Sequence, residues 1–195
     1  MKKILYLCIA LTFFACKDEK KTSSSKTTET ETTATTVKAD TETEEEEKKL
    51  PILTGVQTRT AISKIPYDSW FGPNYSTYPV DKEVAFLVKP LLKDVKVKLF
   101  MGTWCEDSQR EVPQFFRIID VIKASEENIE IITVDEDKMT PEHLEDGFDI
   151  TNVPTFIFYK DGKELNRIVE SPVESLEKDM FTILSGKDYK HTYAE

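Results

Sequence analysis

The 195-residue sequence has few of the residues that most chemistries need: three cysteines, two histidines, six glycines and two tryptophans. No glycine-rich loop that cradles phosphate occurs in it. His143 and His191 do not fall at metal-ligand spacing with a cysteine, so no metal and no other cofactor is expected. A Cys–His nucleophilic pair is not excluded by spacing alone. The one long apolar run, Ile4 to Phe14, is too short for a helix that spans a bilayer. Basic residues are also scarce, 26 Lys and Arg against 36 Asp and Glu, for a net charge of −10. That balance disfavours nucleic acid and direct attraction to anionic lipid headgroups.

What is present begins with a targeting pattern. Lys2 and Lys3 form a basic start, Ile4 to Phe14 an apolar stretch, and Phe13-Phe14-Ala15-Cys16 a small-residue cleavage site ending in cysteine. This ending resembles the lipobox of bacterial lipoproteins, which implies a signal peptide over 1–15 and an acylated Cys16 as the only membrane contact. The alternative is a plain secretory signal in which Cys16 is incidental. Lys17-Asp18-Glu19 also resembles signals that send some lipoproteins to the outer surface. The expected location is the cell envelope, lipid-anchored at the outer membrane, facing the periplasm or the surface.

Residues 16–50 are a Thr/Glu/Lys/Ser tract ending near Glu44-Glu45-Glu46-Glu47, with almost nothing apolar to bury. Such a segment reads as a disordered, lipid-anchored tether. About 33 residues give it a reach on the order of 30 Å.

Cleavage removes Cys8 and acylation uses Cys16, leaving Cys105 as the single thiol. No intramolecular disulfide can then form, in a compartment that favours them.

Residues 51–195 suffice for one domain with a core. Asp81 is placed to cap a helix whose apolar face is Val84, Leu87, Val88 and Leu91, with Pro90 shortening it. Val95 to Met101 reads as a strand. Val112, Phe115, Phe116, Ile119 and Ile122 recur at helical spacing. Ile129 to Val134 is a β-branched strand, and Thr140-Pro141 opens a short helical stretch up to Phe148. Thr155 to Tyr159 and Leu165 to Val169 flank an Asp-Gly turn. Ser171-Pro172-Val173-Glu174 has the form of a capping box opening the last helix. Residues 51–79 carry Tyr67, Trp70, Phe71, Tyr75 and Tyr78. These aromatics either pack onto a neighbouring surface or wall a substrate groove.

The chemistry concentrates in Trp104-Cys105-Glu106-Asp107-Ser108, after a strand and at the mouth of a helix, followed later by Val153-Pro154-Thr155. A helix start offers unpaired N–H groups and a positive dipole end, both of which stabilise a thiolate. Glu106 and Asp107 oppose this while suiting the first helical turn. At these residues, with Pro113 in the helix and Lys160-Asp161-Gly162-Lys163 as a last hairpin, residues 80–195 resemble the thioredoxin-like superfamily. The resemblance implies an α/β, three-layer fold, a central mixed sheet flanked by helices. It implies Cys105 as the nucleophile beside a cis-proline at Pro154. Trp104, Val153, Pro154 and Thr155 then hold an extended client. Ser108 stands where the family has a second cysteine, and Leu99 and Ile131 where it has a buried acid–base pair.

With one sulfur, a mixed disulfide must be resolved by a second client cysteine or by an external thiol reductant. Ser108 is restricted to a hydrogen bond to the thiolate. The expected function is a membrane-anchored thiol–disulfide exchange protein of the isomerase type, acting on protein clients with disulfides or thiols. The rivals are a non-catalytic, chaperone-like binding module of the same fold, and a dimer joined through Cys105.

Overall fold

The structure, a computed structural model, describes residues 49–194. The expected signal peptide, the acylation site Cys16 and nearly all of the tether lie outside the described residues. Strand β2 (Val95–Met101) is central because it is apolar toward both faces of the sheet. Val95, Val97, Leu99 and Met101 face one cluster of buried side chains and Phe100 the other. β3 (Ile129–Thr133) pairs with it in parallel and β4 (Thr155–Lys160) antiparallel. The edges are β1 (Gly55–Gln57) and β5 (Lys163–Val169), giving the order β1-β3-β2-β4-β5. A parallel β2–β3 pair needs a crossover, which α4 (Glu106–Ile122) supplies. Asp161 and Gly162 turn β4 into β5 with φ of 50° and 76°, the left-handed pair a tight hairpin requires.

Helices cover one face: α1 (Arg59–Ser63), α2 (Asp68–Thr77), α3 (Lys82–Leu91), α4 and α5 (Leu176–Leu184). The apolar spacing read in α4 is its buried face, with Val112, Phe115, Phe116, Ile119 and Ile122 all within it. Asp81 caps α3, accepting from Val84 N–H at 3.2 Å, and Pro90 falls in the last turn. Ala85 and Val88, however, carry its core contact, and Leu87 is exposed.

The other face departs from expectation. The helical stretch expected from Thr140-Pro141 to Phe148 is a run of turns, broken by left-handed residues at His143, Gly147 and Asp149. A right-handed helix cannot pass through such positions. Leu144, Phe148 and Ile150 still drop onto Phe100, Ile132 and Ile157. Arg167 fastens the segment to the sheet by donating to Phe148 O at 2.6 Å. Of the two layers flanking the sheet, one is therefore helical and the other irregular. The last helix also starts later than the Ser171 pattern indicates: Ser175 is its cap, accepting from Lys178 N–H at 3.3 Å, and Val173 is exposed. Asp179 accepts from the N–H groups of Val173 and Glu174, holding them in a loop ahead of the helix.

The aromatic extension is packing, not a groove wall. Tyr67, Trp70 and Phe71 join the helical-side core, and the Phe71 ring lies 6.4 Å from that of Phe116 on α4. Two polar ties fix it there. Pro113 has no N–H, so the carbonyl of Gln109, four residues earlier, loses its helical donor. Asn74 of α2 donates to that carbonyl at 3.1 Å. Arg59 grips Asp120 with two bonds, at 3.0 and 2.6 Å, and also reaches Glu126, while Tyr75 O–H donates to Asp120.

Asn74→Ala leaves the Gln109 carbonyl without its donor and should cost about 1–2 kcal/mol, read as a lower urea midpoint. An unchanged midpoint would show the tie to be unimportant. The Arg59 hydrogen bonds hold the Asp120 carboxyl below its usual value. A carboxyl depressed in the folded state adds stability that is complete above its unfolded value of about 3.9 and is lost as pH falls through its folded value. Wild type should therefore lose more stability than Asp120→Asn as pH drops below about 4. Equal acid slopes in urea unfolding would remove Asp120 from the acid response.

Candidate functional site

β2 ends at Met101 and the chain turns through Gly102, Thr103 and Trp104 before α4 begins. The turn is closed by Cys105 N–H donating to Gly102 O at 3.2 Å. Gly102 is required by a neighbour, not by its own backbone: a Cβ there would lie 2.5 Å from the Trp104 ring. The indole thus lies against the bare Cα, and its N–H reaches Val134 O at 3.0 Å, just beyond β3. Gln109 donates to Thr103 O at 2.8 Å, and Leu53 N–H donates to Thr103 Oγ1 at 3.2 Å.

This turn delivers Cys105 to the N-cap of α4, with extended φ and ψ of −88° and 122° and no side-chain capping bond. Its sulfur is free and half-buried, and donates to Val153 O at 3.1 Å. The Val153–Pro154 bond is cis. The Val153 N–H has no acceptor among the described residues. Pro154 O accepts from Glu170 N–H at 2.7 Å, and Thr155 donates to Asn152 O at 2.6 Å as it opens β4.

The structure brings Trp104, Cys105, Val153, Pro154 and Thr155 to one end of the sheet. Ser108 lies beneath, fully buried, with its oxygen accepting from Gly102 N–H at 3.2 Å. No hydrogen bond joins it to Cys105 among the described residues. Leu99 and Ile131 face each other in the β2–β3 register and are both buried, so the sheet beneath the site holds an apolar pair.

Three contributors escape a reading of the sequence. Gly102 acts through the room its bare Cα leaves, and Glu170 through its backbone bond to Pro154 and its held carboxylate. Glu111 is buried on α4 with Arg110 Nε at 2.8 Å, and burial pushes its carboxyl up. Its signal was an acid inside the apolar stripe of α4. Elsewhere, His143, Glu145 and Asp146 bring possible ligand atoms within 4.8 Å of one another, a group that does not include Cys105. No helix among the described residues is long and apolar enough to cross a membrane.

The thioredoxin family model matches residues 85–181, which takes in the turn, the thiol, the cis-proline loop and the hairpin. This domain has a thioredoxin-like fold. No curated protein matches the chain. Among solved structures, a protein of unknown function from Pseudomonas aeruginosa is similar at 12% identity, covering 61% of this chain and 84% of its own, with a TM-score of 0.47. Mitochondrial thioredoxin 3 from Saccharomyces cerevisiae, in its oxidised form, is similar at 24% identity, covering 55% and 96%, with a TM-score of 0.33. The thioredoxin-like domain, with its accessible thiol, supports a thiol–disulfide oxidoreductase role of a general kind.

Gly102→Ala should expel the indole from the turn, breaking the Trp104–Val134 bond at a cost of about 1–3 kcal/mol. Thermal unfolding and tryptophan fluorescence in a Trp70→Phe background measure this. An unshifted Tm and spectrum would show that the indole does not need the bare Cα.

Proposed function

We propose that the chain is a lipid-anchored, extracytoplasmic exchange protein that uses Cys105 as its only nucleophile. The observation that carries this reading is the sulfur on Val153 O, beside an unpartnered Val153 N–H and the cis-Pro154 loop. An extended client laid along Val153 supplies the missing acceptor and brings its own sulfur to Cys105. Cys105 gives its proton to solvent. The thiolate attacks one sulfur of a client disulfide, forming a mixed disulfide and releasing the other client sulfur as a thiolate. A further client thiolate then attacks the client-side sulfur. A new client disulfide forms and Cys105 leaves as a thiolate. No electrons are gained or lost, so this isomerisation needs no oxidant. Alternatively, an external thiolate attacks the Cys105 sulfur and frees the client's second thiolate. A second external thiolate then displaces Cys105, forming an external disulfide, so the client is reduced and two external thiols are oxidised.

Cys16 is the anchor on this reading, and the acidic tract separates it from the domain. Ser108 steadies the turn that holds the thiol.

Two observations favour a second reading. Ser108 is engaged with Gly102, and Leu99 and Ile131 provide no acid or base, which also suits a module that binds extended chains without turnover.

The experiment is reactivation of a client with scrambled disulfides by the full-length chain carrying Cys8→Ser and Cys16→Ser. Activity should be present, a Cys105–client mixed disulfide should be trapped by alkylation, and Cys105→Ser should fall to the uncatalysed rate. A Cys105→Ser variant with full activity would leave the binding-module reading in its place.

A further inference from the structure

The charged side chains around the thiol are unequally matched. On α4, Asp107 pairs with Arg110 at 2.5 Å, and the same guanidinium gives its Nε to Glu111. After β3, Glu136 pairs with Lys49, and Asp135 is turned inward, accepting from the N–H groups of Asp137 and Met139. Asp135 has no cation among the described residues, and neither have two further carboxylates. Glu106 is exposed, next to the thiol. Glu170 lies on the Pro154 side of the sulfur–carbonyl contact.

Glu170 is held in place. Its backbone is left-handed, with φ of 65°, and its N–H donates to Pro154 O at 2.7 Å. Its carboxylate accepts from Asn152 Nδ2 at 3.1 Å and from the Tyr193 hydroxyl. Both donors are neutral, so they fix the carboxylate without cancelling its charge. Tyr193 belongs to the C-terminal segment, beyond the residues the thioredoxin family model matches. That segment is itself tied back by Asn166 donating to Tyr189 O at 2.8 Å. A carboxylate also keeps acceptor capacity after two hydrogen bonds.

We propose that Glu106 and Glu170 make this site select client segments that carry Lys or Arg beside the reacting cysteine. The inference rests on the exchange reading above and names its substrate class. A client paired with Val153 runs past Pro154, whose carbonyl is joined directly to Glu170, while the bond to Cys105 brings the client close to Glu106. A cationic side chain on either flank meets a carboxylate with no competing cation. An anionic flank, or a small anionic thiol, meets repulsion at both.

The test uses two peptides alike except for Lys or Glu on both sides of a cysteine that carries a 2-thiopyridyl disulfide. Attack by Cys105 on the peptide sulfur forms the Cys105–peptide disulfide and releases pyridine-2-thione, whose absorbance gives the rate. With the full-length chain carrying Cys8→Ser and Cys16→Ser, the Lys peptide should react about fivefold faster at low salt. The ratio should approach one at about 0.5 M NaCl, where screening is short-ranged. Glu170→Gln removes the charge and keeps an oxygen for one of the two donors, which sit on different carboxylate oxygens, and should lower the ratio about twofold. Glu106→Gln, at an exposed position, should do likewise and keeps the test decisive if the Glu170 variant misfolds. A ratio near one, or one that neither salt nor both variants change, overturns the selection while leaving exchange intact. If neither peptide reacts faster than with Cys105→Ser, the exchange reading fails and takes the selection with it.

Discussion

A Cα that can carry no side chain sets the geometry at the thiol end of the sheet. With Gly102 bare, the Trp104 ring lies against the backbone and its N–H reaches Val134 O, joining the exit of β2 to the exit of β3. The same residue gives its N–H to Ser108, so the first turn of α4 is fastened back onto the strand it follows. Cys105 has little freedom left, and its sulfur falls on the Val153 carbonyl. The constraint extends into the added N-terminal segment, because α4 carries Pro113 and needs an outside donor for Gln109 O. Asn74 supplies it, so residues outside the family match help to hold the helix that presents the thiol.

Much of this was legible because it is periodic or local. Helical spacing marked the buried face of α4, the β-branched run marked β3, and Asp161-Gly162 marked a hairpin whose two φ values only a few residue types tolerate. The segment 140–148 misled for a physical reason. Leu144 and Phe148 stand four apart after a Thr-Pro start, which local propensity reads as helix. Their packing on Phe100, Ile132 and Ile157 is met through left-handed residues at His143 and Asp149 instead. The start of α5 was a contest between two serines, each with an acidic residue close behind. It was decided by Asp179, which captures the N–H groups between them. The part played by the Tyr67–Tyr75 aromatics depended on Phe116 and Asp120, too distant in sequence for any local rule. At the site, the thiol and the cis-proline loop could be read from their motifs. Glu170 could not, since its place beside the loop comes from a backbone bond to Pro154 and from side-chain bonds to Asn152 and Tyr193.

The missing second sulfur and the apolar Leu99–Ile131 pair bear on the same half of the reaction. In an exchange protein the first step needs only an accessible thiolate and a docked disulfide. The second needs a competing thiolate and something to take or give a proton. Neither Ser108, occupied with Gly102, nor the apolar pair beneath the site provides either. On the exchange reading, the mixed disulfide therefore lasts until the client, or a thiol from outside, ends it. How the client sits then matters more than in a two-cysteine protein, where escape is fast whatever the fit. Fixed, unneutralised charge at the rim acts throughout that interval, since a longer-lived complex gives weak contacts more time to decide which client sulfur arrives next. On the exchange reading, Ser108 in place of a resolving cysteine and a held Glu170 fit together: resolution is left to the client, and selection to the surface that holds it.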